Sequence, residues 1–188
     1  AIDVEVAIRA LDAAAPAELV LDSAAGDLGG FATLAAHATA DAPLGVHVYL
    51  VADIIDGDGG MGGVAGGLPA PLGLPDTGAA VVAARTSLLD DAPDAVADRV
   101  AHEVGHALGL YHTTEFNGVL HDPLSDTPEC PAVCDGDGDG VVFARECGAR
   151  DRGEAPCRGA SDNLMFWTFG GLLQTTETQR AVIRRHPA

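Results

Sequence analysis

The spacing of apolar residues changes character several times along the chain, and each change marks an element. Ile2, Val4, Val6 and Ile8 alternate with Asp3, Glu5 and Arg9, the period-two pattern of a strand with one buried face. Residues 31–40 have helix-forming composition, and Val46 to Ile54, after Pro43 and Gly45, is a second and mostly apolar strand. From Asp56 to Gly67 there are seven glycines, too many for a regular element, so this stretch reads as a mobile loop lying close to other backbone. Ala79 to Arg85 is a short valine-containing run and a further strand. Asp91-Ala92-Pro93-Asp94 then supplies the acidic residues and early proline of a helix start. In that helix Val96, Val100, Val104 and Leu108 recur every four residues as one apolar stripe, His102 and His106 project from roughly the opposite side, and Gly109 stops it. The chain is then irregular to about residue 160, and 175–186 closes it with a polar helical segment carrying Val182 and Ile183. The expectation is a mixed α/β (α+β) fold without internal repeats.

A hydrophobic fraction of 47% against 20% charged residues provides material for a core in 188 residues, so the chain reads as a single globular domain and not as a disordered one. Charge narrows its partners. Twenty-eight acidic residues face ten basic ones, all arginine, for a formal charge of -18, and such a surface repels phosphate backbones and acidic lipid headgroups. Nucleic acid and membrane are therefore excluded as partners, cations are favoured, and a monomer is expected. The absence of any apolar run long enough to span a bilayer agrees with this. The chain starts at Ala1, as a trimmed or mature form would. Cys130, Cys134, Cys147 and Cys157 crowd into one loop-like window rich in Gly, Asp and Pro, which points to two disulfides in an exported protein. The competing reading is a four-thiolate zinc site, but the spacing lacks the paired Cys-x2-Cys knuckles such sites show. Three disulfide pairings are open.

Residues 102 to 112 read His-Glu-Val-Gly-His-Ala-Leu-Gly-Leu-Tyr-His, a fit to His-Glu-x-x-His-x-x-Gly-x-x-His. Histidines four apart on a helix aim both imidazoles at one point, and a glycine able to take positive φ lets the chain swing a third imidazole, His112, onto the same ion. Three neutral ligands suit Zn²⁺ and leave a fourth position for water. Glu103 is then placed to hold and deprotonate that water, whose pKa the metal lowers to about 7, while the metal polarises a carbonyl for attack. Burying three converging histidines without a metal would be costly, which weighs against a purely structural role. His37, His47, His121 and His186 have no partner at ligand spacing and read as ordinary solvated or hydrogen-bonded imidazoles.

A second pattern takes a harder cation. Asp135-Gly136-Asp137-Gly138-Asp139-Gly140, followed after five residues by Glu146, matches a twelve-residue calcium loop. Asp135, Asp137, Asp139 and a bidentate Glu146 would supply carboxylates, Val141 its carbonyl, and Gly140 the sharp turn. Cys134 and Cys147 bracket it, and nothing on either side resembles the two long helices of an EF-hand. It therefore reads as a stapled structural Ca²⁺ loop and not as a sensor. Asp53, Asp56 and Asp58 form a weaker echo that reads as a solvated loop.

The extended histidine motif, followed by Asn163-Leu164-Met165-Phe166-Trp167, resembles the metzincin metallopeptidases with their methionine-containing turn beneath the zinc. Gly109 to Glu115, then Asp126-Thr127-Pro128 and Cys130, are most similar to the pappalysin branch (cytophagalysin and ulilysin-like) over about residues 95–186. The resemblance implies a metzincin-type zincin catalytic domain over 1–188. A twisted sheet and active-site helix would form an upper subdomain to about 109, with an irregular lower subdomain at 110–188 and a cleft between them. It implies His102, His106 and His112 as zinc ligands, Glu103 as base and acid, and Met165 as the turn residue. It further implies an upper-half edge strand that pairs with extended substrate, for which Ala79 to Arg85 is the candidate. The implied activity is that of a secreted zinc endopeptidase acting on proteins or peptides. The alternative is a catalytically weak, calcium-dependent binding module. The resemblance implies that relatives cutting before arginine carry an acidic residue near the pocket wall after the methionine turn; none lies in Phe166 to Gln174 here, so Phe166, Trp167, Phe169, Leu172 and Leu173 suggest a hydrophobic preference after the scissile bond. No tyrosine follows Met165 there to stabilise a transition state, which suggests slower cleavage of peptide bonds.

Overall fold

The computed structural model describes residues 18–21, 45–56, 59–69, 81–86, 93–148, 157–168 and 173–186. The strand expected over residues 2–8 and the helix expected over 31–40 lie outside the described residues. Within them the chain is mixed α and β. Six strands run β1 Glu18–Leu21, β2 His47–Val51, β3 Asp53–Asp56, β4 Gly59–Gly60, β5 Gly63–Ala65 and β6 Val81–Arg85. Three α-helices follow, α1 Pro93–Ala107, α2 Ala144–Cys147 and α3 Glu177–Arg185, with 3₁₀ turns at Ala132–Cys134 and Ala160–Asp162. Two compact units result, Ala1–Leu108 with His186–Ala188, and Gly109–Arg185.

The first unit holds the strands in two ladders, ordered β1-β3-β4 and β2-β6-β5. The apolar run expected as one strand from Val46 to Ile54 breaks at Ala52 into β2 and β3, which pair in different ladders. β6 runs parallel to β2, with Val82 opposite Val48, and antiparallel to β5, with Val64 opposite Ala83. Pairing on both sides and burial on both faces explain its composition: Val82, Ala83 and Ala84 are all fully buried. By strand alternation Ala83 joins Tyr49, Val51 and Ile54 on one face, and Val82 meets Ala107 of α1 on the other. Burying a side chain such as Ile54 or Val82 contributes roughly 1.5–3 kcal/mol. The glycine-rich stretch is corrected from loop to ladder. β4 and β5 both lie in it, tied by the Met61 amide to the Ile54 carbonyl (2.9 Å) and by the Arg85 amide to the Gly62 carbonyl (3.0 Å). Met61, Val64 and Ala65 supply the packing that the glycines cannot.

Helix α1 packs on β5 and β6. Its buried positions include Val96, Glu103 and Ala107, whereas Val100, Val104 and Leu108 are half-buried. At about 100° per residue Glu103 and Ala107 lie within roughly 20° of Val96, at one edge of the valine stripe and not at its middle. The helix has turned its glutamate inward.

The second unit is held by irregular backbone and sulfur. Disulfides Cys130–Cys147 and Cys134–Cys157, with Cα separations of 5.9 and 5.5 Å, resolve the three possible pairings and leave no free thiol for a four-thiolate zinc site. Around them pack Val142, Ala160 and Phe166, with Trp167 beside them. Among the described residues no helix is long and apolar enough to cross a membrane.

Candidate metal centre

His102 and His106 sit one turn apart near the C-terminal end of α1, with His102 3% and Glu103 6% exposed. Their Nε2 atoms lie 3.1 Å apart, with the rings nearly perpendicular at 86°. Two nitrogens held about 2.0–2.1 Å from one ion in a tetrahedral shell stand roughly 3.3 Å apart, so this is a ligand-pair spacing. The helix ends as expected: Gly109 takes φ +95, a conformation that a side chain resists, and the chain turns away. His112 follows three residues later. Ligand atoms of the three histidines all lie within 4.8 Å of one another, so the cluster can hold a metal ion.

A feature not anticipated from the sequence orients His112. The Glu115 carboxylate lies 3.1 and 3.2 Å from Nδ1 of His112. With Nδ1 donating there, Nε2 carries the lone pair, the arrangement by which a carboxylate fixes the tautomer of a metal-binding histidine. An acid three residues after the last histidine was the available signal. Glu115 is itself held, its amide donating to the Leu120 carbonyl (2.9 Å) and its carbonyl accepting from Gly118 (2.8 Å).

Glu103 lies on the buried face of α1 against β5: a Cβ placed on Gly63 would stand 2.7 Å from its Cγ and 2.8 Å from its Oε1. Burial pushes its carboxyl up to about 8, because nearby apolar surface cannot solvate the charge. A cation held by the neighbouring histidines would oppose that push.

Met165 is fully buried in a tight turn closed by the Phe166 amide on the Asn163 carbonyl (3.1 Å). Its own carbonyl accepts from the Thr113 amide (2.9 Å), one residue after His112. The turn is braced from α3, where Gln179 and Asn163 exchange reciprocal amide hydrogen bonds at 2.9 and 3.1 Å. Phe166 and Trp167 are spent in the disulfide-centred core, and the Trp167 indole donates to the Val142 carbonyl (2.6 Å). Two of the five residues that suggested a hydrophobic preference therefore have other work, and Phe169 and Leu172 lie outside the described residues.

In the acidic loop, oxygens of Asp135, Asp137 and Asp139 lie within 4.8 Å of one another. Gly140 makes the expected turn at φ +85. Asp135 accepts from the amides of Gly138 (2.7 Å) and Gly140 (2.8 Å). The two oxygens of Glu146 accept from the amides of Gly136 and Phe143, both at 2.8 Å. The charge already has an answer in Arg145, 2.6 Å from Asp137 and 4.0 Å from Asp139. Of the remaining histidines, His47, His121 and His186 join no metal-capable group among the described residues, and His37 lies outside them. Asp53, expected in a solvated loop, is in β3 and pairs with Arg85 at 2.9 Å. Compared with models of known protein families, with curated proteins and with solved structures, the chain matches none.

Proposed function

We propose that the protein is a secreted zinc-dependent endopeptidase of the metzincin type, similar to the pappalysins. The observation that carries the reading is the three-histidine cluster with an inward-facing, desolvated glutamate one residue after its first member. Three imidazoles without a thiolate suit Zn²⁺ and leave coordination positions open for chemistry. Zinc bound there would supply a Lewis acid that acidifies water and polarises a carbonyl. The chain's own part is proton handling: the Glu103 carboxylate would take a proton on its carboxylate oxygen from the attacking water and deliver it to the leaving amine. His112, aimed by Glu115, completes the ligand set.

The strand assigned to substrate changes. Ala79 to Arg85 was the candidate, but β6 is paired on both sides and cannot accept another backbone, so β5 takes the role. β5 ends the ladder order β2-β6-β5 among the described residues and packs beside α1, where an extended peptide could add as a further strand. The acidic loop is proposed to hold Ca²⁺ through Asp135, Asp137 and Asp139, and the two disulfides fit an extracellular setting.

Digestion of casein or gelatin by zinc-loaded wild type and by Glu103→Ala tests the reading. Chelator-sensitive cleavage by wild type alone supports it. Equal background turnover by both would favour the calcium-dependent binding module.

A further inference from the structure

The peptidase reading gives β5 a substrate to pair with but does not explain why the strand opens on a glycine, and that glycine occupies a place no other residue can. Gly63 is the first residue of β5, opposite Ala84 of β6, and takes no positive φ, so its backbone does not demand glycine. The demand comes from across the gap. A Cβ there would lie 2.7 Å from Glu103 Cγ, 2.8 Å from Oε1 and 3.0 Å from Cδ, at or below the closest approach that real Cβ atoms make. The nearest atom is Cγ, one bond from the helix-fixed Cβ of Glu103, so swinging the carboxylate end aside does not relieve the clash. The whole χ1 rotamer would have to change, and a helix leaves few wells to change into.

Neither side of the gap can give way cheaply. β5 is fixed by its ladder with β6 and by the Arg85 amide on the Gly62 carbonyl (3.0 Å), while α1 packs directly on both strands. Glu103 is 6% exposed, so it has no solvent to retreat into. From this geometry we infer that Gly63 is a positioning residue for Glu103: the missing side chain is what lets the glutamate lie against β5 in the rotamer it adopts. The inference rests on the peptidase reading for its consequence, since a displaced proton carrier would cost turnover. The contact itself is independent of that reading. It gives the glycine-rich stretch a specific task, that of bringing bare backbone against an acid on a helix 40 positions further along the chain.

The test is a two-residue cycle, with Gly63→Ala, Glu103→Ala and the double variant. In the active background, Gly63→Ala should lower kcat about 100-fold, the loss typical of a small misplacement of a reacting group, while zinc affinity stays close to wild type. In zinc-free protein, Gly63→Ala should lower the thermal midpoint when Glu103 is present and leave it unchanged or slightly raised in Glu103→Ala, where no Cγ remains to strike. An unchanged kcat in Gly63→Ala, or the same fall in midpoint with either residue at 103, would overturn the inference. If wild type cleaves nothing under any zinc load, the peptidase reading falls and the midpoint cycle alone decides the contact.

Discussion

An imidazole can ligate through either ring nitrogen, and Glu115 removes that choice for His112 by engaging Nδ1 at 3.1 Å. Removing the carboxylate frees the ring to rotate and to change tautomer, so Glu115→Ala should weaken zinc binding by about 10- to 100-fold while all three ligands remain. Competition titration against a chromophoric chelator reads this directly, and an unchanged affinity would reduce the contact to a surface pair. The histidines and Glu103 were legible in the sequence because helical spacing is local: four residues make one turn, and no distant contact enters. Glu115 was legible in principle for the same reason. Gly63 was not, since its reason for being glycine is a glutamate on another element, and a stretch with seven glycines from Asp56 to Gly67 looks like slack chain until the packing of Met61, Val64 and Ala65 is known.

The helices α1 and α3 were foreseen as elements, but not the neighbours they pack against. The end of α1 at Gly109 followed from residue chemistry, yet its inward face followed its valines only at Val96, because Glu103 and Ala107 are buried where Val100 and Val104 are only half-buried. The helix α3 shows the same limit. Its composition is polar, but Gln179 is fully buried and trades amide hydrogen bonds with Asn163 in the methionine turn. Gln179→Ala would leave a buried amide unpaired, at a cost of about 1–3 kcal/mol, and the thermal midpoint should drop by roughly 2–4 °C for each kcal/mol. The start of α3 is held by Asp126, whose carboxylate accepts from the Thr178 amide and the Thr176 hydroxyl, both at 3.0 Å. The Thr178 amide, the largest cause, keeps the Asp126 carboxyl below its usual value. Because the folded value is depressed, the stabilisation is present above the unfolded carboxylate value near pH 3.9 and is lost as pH falls through the lower folded value. Stability measured against pH should therefore separate wild type from Asp126→Ala at neutral pH, with the two converging in the acid range. A gap that persists unchanged to low pH would assign the difference to something other than this charge.

At the scale of the molecule, a formal charge of -18 sets every cation effect against a background of self-repulsion. Any salt will relieve that repulsion by screening, so a rise in stability with calcium means nothing unless ionic strength is matched. The acidic loop sharpens the question, because Arg145 already lies against Asp137 and Asp139 and a bound cation must displace it or share its carboxylates. A specific site stabilises by mass action, about 2.7 kcal/mol at a hundredfold excess over its dissociation constant, which for a chain of this length moves the midpoint by roughly 5–10 °C. At constant ionic strength, Ca²⁺ should therefore raise the midpoint well beyond Na⁺, and more than Mg²⁺, which demands a tighter octahedral shell than a flexible loop provides. Asp135→Asn and Asp139→Asn should abolish the calcium-specific part and leave the salt effect. Arg145→Ala should enlarge the calcium response by removing the competing guanidinium. Equal shifts with all three salts, indifferent to Arg145, would make the loop an acidic turn balanced by its own arginine. The two disulfides that tie Cys134 and Cys147, the residues flanking it, would then be what holds it in shape.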